Sequence, residues 1–495
     1  MSSSGSGDHQ DGAAGREKAR PPMIAVDLGA GSCRVSMLRW IDGIPDVSVV
    51  HRFPNAPVED GESLRWPLDD ILQGVEHGLR RCAENSSEPI ASIGVDGWAV
   101  DYVRLKQDGL PLAPPFCYRD ARNEVAEEAV HARIGESHLY SLTGLQRLRF
   151  NTIYQLYADK LAGVPDSIPW LNLPEYVLQR LGGRPVSEYT NATHSGLIDL
   201  RTKGWSEEIF GALGLDLNAA PQLVSPGTDL GLIQGSLRAL PAFRKTRLIA
   251  PACHDTASAI AAIPHEGGDW AYLSSGTWSL LGTLETGPLN SETAYRDNFT
   301  NLGAAGGGIC FHKSVNGMWL IQQCLEHWAQ LGHEWKLPDL IAAAEKTEPP
   351  DALLDVDHAD LMLPGKMPNR INRRRLCAGL PAIPEDAAHA PIVANLIFHS
   401  LAAKYAQVVR ELAQVTGKTF RVLHVVGGGS RNSLMNRITA EATGLRVCPG
   451  HVESSTIGNL SIQMAIAERS GEREGSPSRE EIRRCAGDLE AAKFE

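Results

Sequence analysis

The chain predicts an α/β fold built as two domains, on three observations. Its 495 residues are too many for one compact core and fit two domains of roughly 200 residues or more. Strand-like runs alternate with runs of helical spacing, the pattern of sheets layered with helices. One motif occurs twice, with most of a domain between its copies.

The first copy reads Met23-Ile24-Ala25-Val26-Asp27-Leu28-Gly29-Ala30-Gly31-Ser32-Cys33-Arg34-Val35-Ser36-Met37-Leu38. The second reads Ala271-Tyr272-Leu273-Ser274-Ser275-Gly276-Thr277-Trp278-Ser279-Leu280-Leu281-Gly282. Each is an apolar run, a cluster of small residues and a second apolar run. Such a β-hairpin has a tight turn that leaves backbone NH groups free to hold an anion. Two of them suggest a duplicated scaffold gripping a polyphosphate from both sides.

The first 22 residues, closed by Pro21-Pro22, lack the apolar core of a signal peptide and read as a disordered tail. After the first hairpin, apolar residues at Leu68, Ile71, Leu72, Val75 and Leu79 mark a helix from Leu68 to Cys82. Ile90 to Val103 reads as strand, Gly-bearing bend and strand, and Leu248 to Ile263 as strand, turn and small-residue helix; the domain boundary falls just after it. Beyond the second hairpin come a helix from about Met318 to Ala329 and a Pro-bearing, partly basic loop or lid from Leu363 to Pro391. A strong helix follows from about Ile392 to Thr416, then a buried strand over Phe420 to Val426. The strand ends in Gly427-Gly428-Gly429, and a helix starts near Leu434. That glycine run reads either as a nucleotide contact or as a tight turn.

Composition excludes several classes. A net charge of -12 argues against a nucleic-acid partner, which needs a basic face. The densest basic cluster, Arg370 to Arg375, is short enough to be a solvated loop. Nine cysteines without a Cys-x-x-Cys pair fit neither a disulfide framework nor a zinc site and indicate a reduced compartment. No apolar stretch reaches the roughly 18 residues that span a bilayer, so the cytoplasm, without membrane contact, is expected. Gly417-Lys418-Thr419 is no phosphate loop, because Leu412 stands where its first glycine belongs; Gly417 reads as a helix C-cap. Zinc-protease, nucleophile-elbow and dinucleotide motifs are absent.

Each candidate site residue carries two readings. Asp27, at the end of the first strand, either satisfies turn amides or holds, through water, the Mg²⁺ that accompanies a nucleotide. Thr277 either donates its hydroxyl to a phosphate or is simply at home in a strand. Asp255 is either the N-cap of the following helix or a general base toward a substrate hydroxyl, with the helix N-terminus keeping it ionised. His254 is either packed or positions substrate. Trp98 with Asp96 and Asp101, and Tyr118-Arg119-Asp120, offer an aromatic face and polar groups for a sugar, or a half-buried strand and a surface ion pair.

Taken together, the hairpin at Asp27, the Asp96 to Asp101 segment, Tyr118-Arg119-Asp120, His254-Asp255-Thr256-Ala257-Ser258-Ala259, Leu273 to Ser279 and Gly427-Gly428-Gly429 resemble the FGGY carbohydrate kinases. The likeness runs from Met23 to about Glu468 with the motifs in family order. It implies two actin-like (ribonuclease H-like) domains closing over ATP, Mg²⁺ and a ketose. An N-terminal domain at 23–263 would hold sugar and the first phosphate hairpin, a C-terminal domain at 264–468 the nucleotide, with tails at 1–22 and 469–495. By the same likeness the reaction is ATP-dependent phosphorylation of L-rhamnulose at O1, a step of L-rhamnose catabolism, with Asp255 as base. His254, Thr256, Ala99, Asp101 and Arg119 would face the sugar. Ala30, Gly31, Ser32, Cys33, Arg34 and Thr277 would hold phosphates, Ser314, Gln322 and Gly428 would contact nucleotide, and Asp27 the metal. Ala99 and Cys33 stand where relatives often have glycine, and Ser314 where they have Asn. Rival expectations are a kinase for another ketose, fuculose or xylulose, and a non-catalytic actin-like sensor of ATP or sugar. A monomer or homodimer is expected.

Overall fold

Each hairpin seeds a sheet, and the two sheets share one plan. In the computed structural model, which describes residues 20–264, 267–469, 475–490 and 492–494, Met23–Leu28 pairs antiparallel with Ser32–Ile41, and Trp270–Ser275 with Trp278–Glu285. A third antiparallel strand flanks each hairpin, Ile44–Pro54 in the first sheet and Ile309–Asn316 in the second. On the opposite side lie two parallel strands, Ser92–Gly97 then Arg247–Ala250, and Val422–Val426 then Arg446–Pro449. The repeated order is what duplicated actin-like domains require. Parallel neighbours need helical crossovers, which is why helices separate those strands in sequence.

The predicted helices form as Leu68–Glu84, Trp319–Gln330, Ala390–Thr416 and Ser433–Thr443. Gly417 ends the long one in the left-handed region at φ 68°, as a C-cap glycine does. The first sheet packs its core around Val26, Val35, Ile93 and Leu248; the second packs around Leu273, Phe311, Phe398 and Leu423.

Three expectations are corrected. The basic run is a helix, Met367–Cys377, rather than a loop; Pro368 starts it, and Met367, Ile371 and Arg375 share its buried face, with Arg375 paired to Asp351 at 3.1 Å. Ala390–Thr416 is long and apolar enough to cross a membrane by length and composition, yet its side chains Leu396, Ile397, Phe398 and Leu401 are buried in the second core. The C-terminal segment set apart as a tail holds the helix Arg479–Glu490 and a strand, Lys493–Phe494, paired with Ile44–Pro54. Ile482, Cys485, Ala486 and Leu489 recur at helical spacing and anchor that helix. The expected N-terminal tail lies, up to residue 19, outside the described residues.

One crossing positions the site. Helix Asp255–Ala261 meets helix Ser454–Ala467 at Gly458, where a Cβ would overlap the Ser258 carbonyl oxygen. Only glycine allows so close an approach. The chain thus returns from the second sheet to pack on the first, through Ile457 and Leu460.

Candidate active site

The two turns and the start of the Asp255 helix open onto one cleft of about 980 Å³ between the sheets. Both turns are held through their carbonyls. In the first, Asn55 donates from Nδ2 to Gly29 O (3.0 Å) and from its amide to Gly31 O (3.2 Å). In the second, the amides of Met318 and Trp319, at the start of a helix, donate to Gly276 O (3.0 Å) and Thr277 O (3.2 Å). Gly427, at φ 82°, brings the glycine run against the second turn; a Cβ on Gly429 would overlap Ser275 Oγ. The run is therefore both the tight turn and part of the cleft wall.

Charge gathers at the end of the first strand. Arg34 Nη2 donates to Asp27 Oδ2 (2.6 Å), Arg34 Nε pairs with Glu453 Oε2 (2.7 Å), and Arg52 meets Glu453 Oε1 (2.7 Å). The Ser455 hydroxyl also donates to Asp27 Oδ2. Burial pulls the Arg34 guanidinium down, but the Asp27 and Glu453 carboxylates hold it above its ordinary range. Asp96, beside Asp27 in the sheet, is fully buried; Asn459 donates to its Oδ2 (2.8 Å), and its Oδ1 has no hydrogen-bond partner. Burial, then the Asp27 charge, pushes the Asp96 carboxyl well up.

Asp255 is the first residue of its helix, so it is not the N-cap; His254 holds that position. Its carboxylate accepts from Thr256 Oγ1 (3.2 Å) and lies 3.4 Å from His254 Nε2. Burial, then Asp27, pushes the carboxyl up to about 7. A side chain 33% exposed stays accessible from the cleft that it lines. A carboxylate tuned near neutrality is the state a general base uses.

Beside it, Trp98, Ala99, Val100, Tyr118, Phe150 and Trp278 form an aromatic and apolar face; Gly97, just before Trp98, pairs with His254. Val100 sits at φ 73°, a strained state for a β-branched residue. Its carbonyl is pinned by Thr152 Oγ1 (2.8 Å) and Gln155 Nε2 (3.2 Å). Asp101 does not line this face. It is fully buried and accepts from Trp66 Nε1 (2.6 Å), Trp98 Nε1 (2.9 Å), Gln155 Nε2 (3.1 Å) and the Tyr118 amide (3.3 Å). Burial raises its carboxyl to about 6, and its work is to orient the two indoles.

Ala30, Gly31, Ser32, Arg34, Ala99, His254, Asp255, Thr256, Thr277, Ser314, Gln322 and Gly428 all line the cleft, as a shared site requires. Four expected residues do not. Besides Asp101, Cys33 is fully buried in the first core because side chains alternate along the strand. Arg119 stacks over the Trp319 ring at 4.0 Å, linking the two halves instead of lining the cleft. Asp27 is 1% exposed beneath Arg34. Asp120 is likewise structural, accepting from the Leu64 amide (2.7 Å).

Sequence reasoning missed Gln146, His194, His312, Glu453 and Ser455, all on the cleft. Gln146 bridges the halves, exchanging two bonds with the Ser314 backbone (2.9 and 3.0 Å). Only Glu453-Ser454-Ser455 carried a signal, as polar residues at a helix start.

Models of the FGGY family of carbohydrate kinases match the chain over residues 22–262 for the N-terminal domain and 271–467 for the C-terminal domain. The rhamnulokinase of Bacteroides thetaiotaomicron is 35% identical over 459 residues, covering 90% of this chain and 91% of its own. That of Enterococcus faecalis is 36% identical over 448 residues, covering 89% and 88%. Among solved structures, the ligand-bound xylulose kinase of Lactobacillus acidophilus superposes with TM-score 0.71 at 14% identity, covering 95% of this chain and 96% of that one. Plasmodium falciparum glycerol kinase with ADP gives 0.70 at 13%, covering 96% and 95%. At such identities these structures bear on the fold alone, which they match across both domains. With both domain models aligned in order and the two sheets built to one plan, the chain belongs to the FGGY family of carbohydrate kinases.

Proposed function

We propose that the protein transfers the γ-phosphoryl group of ATP to O1 of L-rhamnulose, giving L-rhamnulose 1-phosphate and ADP. The observation that carries this reading is Asp255, a carboxylate raised to about 7 in the cleft that both hairpin turns line. The choice of sugar rests on the two rhamnulokinase relatives. Asp255 takes the O1 proton as O1 bonds to the γ-phosphorus and the bond from that phosphorus to the ADP oxygen breaks. The proton leaves Asp255 after product formation. His254 and Thr256 contact the sugar beside the base, and the Trp98, Tyr118 and Phe150 face packs on its carbon skeleton, with Ala99 at its edge.

On the donor side, Arg34, the turn Ala30 to Ser32 and Thr277 hold the phosphates. Gln322 and Gly428 lie along the nucleotide, and the apolar wall of Ile321, Leu337 and Ile341 takes the adenine. Ser314, bonded to Gln146 across the cleft, serves closure as well as contact. Closure excludes water, which would otherwise accept the phosphoryl group.

Mg²⁺ fits this donor set in one way. Among the described residues no group of three or more His, Cys, Asp or Glu is arranged to hold an ion. Yet the Asp27 carboxylate helps raise the carboxyls of both Asp96 and Asp255, so the potential there favours a cation. An ion arriving with the nucleotide would be reached by Asp27, which is 1% exposed beneath Arg34, only through water. When bound, it neutralises charge on the transferring phosphoryl group.

Coupled ADP release with L-rhamnulose, L-fuculose and xylulose tests the reading. L-Rhamnulose should give the highest kcat/KM. Preference for another ketose would reassign the substrate, and no sugar-dependent ADP would favour a non-catalytic sensor.

A further inference from the structure

The helix carrying Asp255 is met at its start by residues from a distant part of the chain. The Cys253 amide donates to Glu188 Oε2 (2.8 Å), and the His254 amide reaches Thr190 Oγ1 (3.5 Å). A third contact joins side chains. His194, in the turn Thr193–Ser195, has its Nε2 3.0 Å from His254 Nδ1, with ring centroids 4.0 Å apart. The other ring nitrogen of His254 is the one 3.4 Å from Asp255 Oδ1. Thr193 Oγ1 accepts from the Gly303 amide (3.0 Å) in the second sheet, so the turn is fixed from both domains.

Burial holds both histidines below their ordinary range, so each ring is neutral and carries one proton. One proton must lie between His194 Nε2 and His254 Nδ1. If His254 supplies it, the lone pair on its Nε2 faces the Asp255 carboxylate, which is repulsive. If His194 supplies it, the proton of His254 is on Nε2, the nitrogen 3.4 Å from Asp255 Oδ1, and its partial positive charge sits beside the carboxylate. An ionised Asp255 selects the second arrangement.

We propose that His194 is a positioning residue whose Nε2–H locks His254 in the tautomer that places its Nε2–H beside Asp255. The proposal rests on the reading of Asp255 as the base. His194 thereby sets, through His254, the partial charge beside the base without touching the carboxylate.

The test has two arms. Long-range ¹H–¹⁵N NMR of the ring nitrogens in histidine-labelled, full-length protein reads the tautomers without turnover. At about pH 8.5, above the Asp255 value of about 7, both His194 and His254 should be protonated at Nε2; a His254 protonated at Nδ1 there overturns the proposal. In the second arm, His194→Leu removes the donor and His194→Gln restores an N–H in nearly the same place. With the ketose that wild type turns over best, His194→Leu should lower kcat about tenfold or more, the size that orienting partners of functional histidines carry. KM for ATP should stay unchanged, and His194→Gln should recover most of the loss. Wild-type kcat in His194→Leu, or His194→Gln as impaired as His194→Leu, overturns the proposal. If His194→Leu does not fold, the glutamine variant and the NMR arm still decide it. A wild type without sugar-dependent turnover would instead overturn the kinase reading, and the tautomers would still be read.

Discussion

Replacing Asp255 by Asn removes the base while keeping its shape, and the structure gives the size of the effect. The carboxyl is raised to about 7, by burial first and then by the Asp27 charge. A base acts ionised, so kcat/KM should fall as pH drops through about 7. At pH 6 only about one tenth of the groups are ionised, a tenfold loss per unit. The Thr256 hydroxyl can still donate to the Asn oxygen, so the helix start survives. Turnover should drop roughly 10²-fold or more, about 2.7 kcal/mol of barrier, with ATP affinity nearly intact. Stability moves the other way. A folded-state value above the unfolded ~3.9 means stability is fully present below about pH 4 and is lost as pH rises through 7. Asp255→Asn should therefore melt higher than wild type at pH 8 and no higher at pH 4. Coupled ADP release across about pH 5 to 8.5, with melting curves at both ends, checks this. A fully active Asn variant, or a flat wild-type profile below pH 7, would refute the assignment.

Further outcomes follow from packing and charge. Arg34→Lys places one ammonium where a guanidinium now reaches Asp27 and Glu453 by different nitrogens (2.6 and 2.7 Å); KM for ATP should rise about tenfold, and an unchanged KM would contradict the phosphate role. Gly458→Ala forces the crossing helices apart at Ser258, costing about 1–3 kcal/mol; scanning calorimetry should show a melting point lower by several degrees, and no shift would mean the crossing is loose. Trp66→Phe deprives the buried Asp101 of its 2.6 Å donor at about 1–3 kcal/mol, read as a lower urea midpoint with unchanged slope. Calorimetric titration of Mg²⁺ should show binding with nucleotide and none without it; tight binding to the nucleotide-free protein would reject Asp27 as a lone carboxylate contact.

Local signals were legible where the chain neighbours itself. The Gly29 and Gly276 turns, the strand and helix periods and the Gly417 cap are encoded within a few residues, so spacing alone predicts them. The basic run forms a helix despite its charge because Met367, Ile371 and Arg375 recur at helical spacing and bury one face. The places of Asp101 and Cys33 are less legible. A sequence shows that a polar residue sits on a strand beside the site, but not which face it takes once neighbouring strands and indoles enclose it.

By itself, then, the sequence determined the duplicated α/β scaffold and its two hairpin turns, and, through the family likeness, named Asp255 as the candidate base. Only the tertiary structure decided what surrounds that base. Gln146 meets Ser314, Glu453 meets Arg34, and His194 meets His254, 60 residues on. Such partners lie far apart in the chain, and their pairing is set by sheet register and by the Gly458 crossing, long-range packing that no local pattern encodes.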